Sequence, residues 1–215
     1  MNRYSADPGI EGQYQPGSRG KVLRNLPHIT SVRAMQQLEH DTLLSTQSHY
    51  LTRIESSTRF DATLLRTMHR DWLGSIYPWA SNYRSVEMQK GNFRWPPAFR
   101  VEDNMAAFEA RLLRPLTPCR AGPLPTVCLH VAQVHADLLL IHPFREGNGR
   151  LARWLADLML AQAGLPVPNY EFEGKGSRER KSRYLRAVVA GYSGNFALLA
   201  DFFVEAVTRR LEDVR

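Results

Sequence analysis

The 215-residue chain predicts an all-α fold carrying one short β-hairpin. Three observations carry that prediction. Val127, Val131, Val134, Leu138 and Ile141 recur at steps of four, three, four and three, which draws one apolar stripe down a helix. Further segments with the same period, cut by Gly and Pro, fill most of the chain. One stretch breaks the period: residues 77 to 99, "YPWASNYRSVEMQKGNFRWPPAF", place aromatics around a Lys-Gly-Asn centre and end on Trp-Pro-Pro. That pattern reads as a hairpin or extended flap.

The elements follow in order. Residues 1–29 form an irregular N-terminal segment whose "DPG", "QPGSRG" and "NLPH" are turn chemistry. Residues 30–215 form the helical domain. Its first helix starts after Thr30 or Ser31 and runs to about Glu55. Asp61 caps a second helix, with Leu65, Met68 and Trp72 at helical spacing. After the hairpin a helix runs from about Glu102 to Leu113, and "PLTPCRAGPLP" is a loop. The helix over 126–142 is central, because Leu129, Leu139 and Leu140 widen its stripe. The next spans about Asn148 to Ala163 and is stopped by Gly164 and Pro166. Two more are expected, at about 177–191 and 195–212, the last with Asn195 as N-cap.

The composition bounds the function. Hydrophobic residues make up 43% and charged residues 23%, the balance of a soluble globular domain. No apolar run approaches the ~20 residues of a membrane span, and the polar, Gly- and Pro-containing start lacks the apolar stretch of a secretory signal. Two cysteines, Cys119 and Cys128, read as free thiols of a reducing, cytoplasmic compartment. The formal net charge of +7 favours anionic partners. The densest basic run is "KGSRERKSRYLR" at 175–186, and no nucleic-acid signature accompanies it. Direct nucleic-acid binding is therefore not expected.

The chemistry concentrates in "HPFREGNGR", residues 142–150. Pro143 disfavours helical geometry at His142, which puts His142 at the C-terminal edge of the central helix. The following helix opens within about five residues. Its first N–H groups lack partners and the helix dipole adds positive character there. Gly147 and Gly149 flank Asn148 and leave those groups open, which makes an anion site. Arg150 and Arg153 lie in the first turns, where cations make sense if an anion occupies the site. Glu146 is a hard oxygen ligand of the kind that holds nucleotide-bound magnesium. A histidine side chain has an unperturbed pKa of ~6.5, the range that suits a general base, and His142 is the candidate. Any one of these residues alone fits a plain helical corner. Together they form a kit for transferring a phosphorus-centred group to a hydroxyl.

At these residues the sequence resembles the Fic family, whose signature is H-x-F-x-[DE]-G-N-G-R-x-x-R. Positions His142 to Arg153 match it without departure. "WLGSIYPWASNYR" followed by "VEMQKGNF" is similar to that family's G-x-x-Y-x-W-A-G-x-x-R segment and target-docking flap, with Ser81 in place of the usual Gly. "GKVLRNLPHITS" is similar to the opening of bacterial Fic toxins. The resemblance implies a Fic-type helical domain with its flap near the active-site loop. It also implies adenylyl transfer from ATP, with Mg²⁺, to a Tyr, Thr or Ser hydroxyl of a target protein. His142 would take the hydroxyl proton and Glu146 would hold magnesium. Gly147, Asn148 and Gly149 would line the phosphate hole. Arg150 would contact the α- and β-phosphates and Arg153 the γ-phosphate. Lys90, Gly91, Asn92, Phe93 and Arg94 would form the docking flap. Relatives moving UMP, phosphocholine or phosphate, and effectors secreted into a host, are the alternatives within the same resemblance.

Many members of that family are held off by a helix bearing [ST]-x-x-x-E-[GN], whose glutamate would pair with Arg153. Residues 1–60 lack that motif, and Thr208 to Glu212 in "TRRLED" meet it only in part, since Asp213 follows. The expectation is a toxin inhibited by a separate small antitoxin carrying the motif. Its expected targets are the type II topoisomerases, gyrase and topoisomerase IV.

Overall fold

The computed structural model describes residues 9–213, so the expectation for residues 1–8 lies outside the described residues. The chain is helical apart from a two-stranded antiparallel hairpin. It divides into two compact units. One comprises Met1–Arg53, Asp61–Ala107 and Ile141–Leu151; the other comprises Ile54–Phe60, Phe108–Leu140 and Ala152–Arg215.

The first unit is built on α1 (Val32–Leu51) and α2 (Ala62–Leu73). Ser31 caps α1, its hydroxyl accepting the Ala34 N–H at 3.4 Å, and Asp61 caps α2, accepting the Leu64 N–H at 2.6 Å. Such caps satisfy backbone donors that a helix leaves open at its start. α1 stops at Leu51, short of the expected Glu55. There Thr52 bonds the His49 carbonyl and Thr58 accepts the Glu55 N–H. Hydroxyls bonded to nearby backbone draw it out of the helix. Leu65, Met68, Trp72 and Leu73 are fully buried along one face of α2. Before α1, the 3-10 turn Ile10–Gly12 and a bridge between Tyr14 and Leu23 order part of a segment that reads as irregular.

The hairpin also belongs to this unit. Strands β1 (Gln89–Lys90) and β2 (Phe93–Arg94) pair antiparallel, Gln89 with Arg94 and Lys90 with Phe93. The two-residue turn is Gly91-Asn92, with Gly91 at φ +59°, the left-handed geometry such tight turns demand. Val86, Met88 and Trp95 form a buried cluster at its base, with Phe93 packed on them.

The second unit packs around α5 (Leu124–Ile141), α7 (Ser177–Gly191) and α8 (Ala197–Asp213), with α6 (Asn148–Gln162) entering it from Ala152. The expected stripe on α5 is buried at Val127, Val131, Val134 and Leu138. By length and composition α5 alone among the described helices is apolar enough to cross a membrane, a test that a buried core helix also passes. The helix expected over 102–113 is segmented. It runs as α3 (Val101–Phe108), a π turn (Glu109–Leu113) and α4 (Arg114–Leu116). The start of α8 corrects the expected Asn195 cap. The helix begins at Ala197, and the Asn195 N–H instead bonds the Ala190 carbonyl at 3.2 Å, closing the end of α7. Cys119 and Cys128 are free and buried, and burial pushes both thiols up, to about 11 and about 12.

Candidate active site

His142 follows the last residue of α5 and adopts φ +53°. Left-handed backbone at a non-glycine residue costs roughly 1–2 kcal/mol. The local reason is Pro143, which shuts out right-handed helix at the residue before it. The global reason is Arg84. Its Nε donates to the His142 carbonyl at 2.8 Å, and its backbone N–H donates to the Pro143 carbonyl at 2.8 Å. The same guanidinium reaches the carbonyls of Val86 at 2.9 Å and Pro96 at 2.6 Å, on either side of the hairpin. Burial pulls the Arg84 pKa down, and nearby Glu87 and Glu11 counter it. One buried cation thus ties the flap base to the turn that carries His142. The His142 ring is 4.0 Å, centroid to centroid, from the Trp95 indole.

The loop after His142 is closed by Asn148. Its side chain accepts the Phe144 N–H at 2.9 Å and donates to the Phe144 carbonyl at 2.6 Å. The amide side chain is therefore spent on the loop, and Asn148 offers an anion its backbone. The N–H groups of Asn148 and Gly149 have no hydrogen-bond partner among the described residues. They open α6 as unpaired donors at the positive end of its dipole. Gly147 sits at φ +86°, and a Cβ there would lie 2.8 Å from the Trp72 ring. Both its backbone and its space exclude a side chain.

Phe144 is fully buried and stacks on His69 with centroids 3.9 Å apart. His69 receives the Ser81 N–H on Nδ1 at 2.9 Å and donates from Nε2 to the Glu146 carbonyl at 3.1 Å. It is neutral: burial holds its pKa down to about 4. Arg145 is buried and its Nε bonds the Glu11 carbonyl at 3.0 Å, while the Glu11 carboxylate receives the Ser85 N–H at 3.2 Å.

Arg150 lies over Trp72, 4.7 Å from the ring centroid, and its Nη2 is 2.8 Å from Glu39 and 3.4 Å from Glu146. Glu146 is about one third exposed, with one carboxylate oxygen accepting the Gly147 N–H at 2.9 Å. Among the described residues no cluster of three metal-ligating side chains exists. A magnesium ion held by one carboxylate together with phosphate oxygens needs no such cluster, so Glu146 fits that group.

Arg153 belongs to the second unit, one turn further along α6. Its guanidinium lies 5.6 Å from the Phe172 ring centroid and 5.9 Å from that of Tyr184. The Tyr184 hydroxyl is 2.7 Å from Nε2 of His135, whose Nδ1 is 3.0 Å from the Ala152 carbonyl. Asp157 on the same helix accepts the Tyr170 hydroxyl at 2.6 Å, and burial pushes its carboxyl up to about 7. Thr208 and Glu212 are exposed near the end of α8.

The structure thus brings His142, Glu146, Gly147, Asn148, Gly149 and Arg150 onto one turn, and puts Lys90, Gly91, Asn92, Phe93 and Arg94 on the hairpin in the same unit. Glu39, His69, Arg84 and Trp95 support that turn without having been singled out for it. Arg84 and Trp95 stand in the aromatic stretch 77–99, and His69 sits among the apolar positions of α2. Nothing in the sequence around Glu39 marks it.

Residues 59–160 match the Fic/DOC family. Protein adenylyltransferase VbhT of Bartonella schoenbuchensis is 25% identical over 179 residues, 83% of this chain and 36% of the relative. The probable protein adenylyltransferase y4lH of Sinorhizobium fredii is 28% identical over 189 residues, 86% of this chain and 90% of the relative. The chain thus spans about a third of the first relative's length and most of the second's. The solved structure of BepC, a VirB-translocated effector of Bartonella tribocorum with bound AMPPNP, superposes with a TM-score of 0.70 at 19% identity, covering 86% of this chain and 91% of that one. The fold, the intact signature and the matched residues agree: residues 59–160 carry a domain of the Fic/DOC family.

Proposed function

We propose that the chain is a protein adenylyltransferase that moves AMP from ATP, with Mg²⁺, to a Tyr, Thr or Ser hydroxyl of a target protein. The observation that carries this reading is the turn 142–150. There a histidine, a carboxylate about one third exposed and a row of open backbone donors share one rigid corner. Relatives named as adenylyltransferases support the same reading.

The chemistry balances as follows. The target hydroxyl oxygen attacks the α-phosphorus and a new P–O bond forms. The bond from that phosphorus to the bridging oxygen of the β-phosphate breaks, and pyrophosphate leaves. His142 takes the hydroxyl proton. The N–H groups of Asn148 and Gly149, with Arg150, stabilise charge on the α- and β-phosphates. Arg153 meets the γ-phosphate. Glu146 would hold the magnesium ion, which supplies charge neutralisation at the phosphates. The hairpin 89–94 presents the target segment by strand pairing.

The proposal extends to biology. The chain acts in the cytoplasm as the toxin of a toxin–antitoxin pair. A separate small protein bearing [ST]-x-x-x-E-[GN] holds it off, and gyrase or topoisomerase IV is its target. The absence of that motif from residues 1–60 supports this reading. The test is transfer of label from α-labelled ATP into bacterial lysate, compared with His142→Ala and with purified gyrase as substrate. A band that needs His142 supports adenylyl transfer. Label arriving from γ-labelled ATP instead makes the chain a kinase, and label only from UTP changes the donor. A strong signal from Glu212→Gly over a silent parent would replace the antitoxin by self-inhibition.

A further inference from the structure

We propose that Glu39, on α1 and outside the signature, is a positioning residue that aims Arg150 at the nucleotide phosphates. The inference rests on the nucleotide site proposed above and names a part of it that the signature does not contain.

Glu39 is only 6% exposed and meets three neighbours of that site. Its Oε2 is 2.8 Å from Nη2 of Arg150. Its Oε1 accepts the Tyr77 hydroxyl at 2.5 Å. Its backbone carbonyl accepts the Trp72 indole N–H at 2.8 Å, and Trp72 is the ring over which Arg150 lies. Burial and the Glu39 charge push the Tyr77 pKa up, so that hydroxyl keeps its proton and always donates. Glu39 therefore fixes both the platform and one edge of the Arg150 guanidinium.

The geometry favours aiming over blocking. Both carboxylates that touch Arg150 do so through the single nitrogen Nη2. Nε and Nη1 have no hydrogen-bond partner among the described residues. A planar guanidinium held at one nitrogen and stacked on one face has its other donors set in direction. Were Arg150 to leave Glu39 for a phosphate, a buried carboxylate would lose its counter-charge. Arg150 instead keeps Glu39 on Nη2 and offers Nε and Nη1 to the phosphates. The pairing also offsets the cost of a cation in the first turn of α6, where the helix dipole opposes it.

The experiment is a double-mutant cycle on the full chain, read by calorimetric binding of AMPPNP with Mg²⁺ and by AMP transfer. Thermal denaturation of every variant confirms folding. Glu39→Gln keeps the size and the Tyr77 bond but removes the charge. It is expected to weaken AMPPNP binding on the order of tenfold when Arg150 is present. In the Arg150→Ala background it is expected to change binding by less than about twofold. Equal loss in both backgrounds would make Glu39 merely structural, and tighter binding by Glu39→Gln would make it a competitor of phosphate. Either overturns the proposal. If Glu39→Gln does not fold, Tyr77→Phe, which removes only the bond that orients Glu39, runs the same cycle with the same outcomes. A parent chain that binds AMPPNP without transferring AMP refutes the adenylyltransferase reading and leaves the cycle readable. A parent that does not bind AMPPNP overturns both.

Discussion

The Trp95 indole lies tilted against the His142 imidazole, centroids 4.0 Å apart and planes inclined by 33°. Trp95 leaves the hairpin and is itself held edge-on by Phe93 at 5.3 Å, so the flap and the proposed base share one aromatic contact. Trp95→Ala removes the surface that fixes the imidazole plane and leaves the anion site untouched. The expected result is a kcat for AMP transfer lower by about 10- to 100-fold, with the Kd for AMPPNP within about twofold of the parent. A matching loss of AMPPNP affinity would show that Trp95 supports the whole turn instead.

Ser81 carries the family's usual glycine position at φ +73°. Its backbone is fully employed there, the N–H on His69 and the carbonyl receiving Arg66 Nε at 2.9 Å. A side chain in the left-handed region adds strain that glycine avoids. Ser81→Gly is expected to raise stability by about 1 kcal/mol, seen as a higher urea midpoint with an unchanged slope and unchanged transfer rate. A lower midpoint would mean that the hydroxyl contributes more than the backbone strain costs.

Gly147→Ala tests the opposite case. Its φ of +86° and the 2.8 Å approach of Trp72 put strain and overlap at one atom. The added methyl must displace Trp72, the platform of Arg150. AMPPNP affinity should fall by about tenfold or more, and transfer by about a hundredfold, while the second unit's core is untouched. Retained affinity would show that Trp72 yields without moving Arg150.

The contrast between these residues shows what the sequence could carry. The period-3.6 stripes, the Ser31 and Asp61 caps and the Gly91-Asn92 turn are local physics, and the helices and hairpin follow from them. The signature was legible for a similar reason, since His142 to Arg153 lie on one corner of chain. Glu39 was not, because its pairing with Arg150 exists only after α1 packs beside α2 and Trp72. Arg84 was visible as a letter of a motif, but its reach to the His142, Val86 and Pro96 carbonyls depends on how the hairpin returns. The misplaced start of α8 has the same origin. Asn195 is a good cap in isolation, yet α8 opens two residues later, at Ala197, and Asn195 belongs to the turn that closes α7, its N–H on the Ala190 carbonyl.

His69 makes a prediction about pH. It is buried, neutral and committed at both nitrogens, and its pKa falls from 6.5 in the unfolded chain to about 4. Between those values the unfolded chain binds the proton and the folded chain does not, so stability is lost as pH falls from about 6.5 to about 4 and levels off below. The linked loss is on the order of 3 kcal/mol. Asp157 works in the opposite direction, because its carboxyl is pushed up from 3.8 to about 7 and the folded chain binds that proton more readily. His135, held down to about 3 in the second unit, adds a loss of the same sign as His69. The background from Asp157 and His135 cancels when the parent is compared with His69→Gln, which cannot titrate. Urea denaturation from pH 7 to pH 4 should show the parent losing stability more steeply than His69→Gln, whatever the variant's absolute stability at neutral pH. Parallel curves would mean that His69 takes up a proton as readily in the fold as in the unfolded chain, and that its bonds to Ser81 and Glu146 do not hold it neutral.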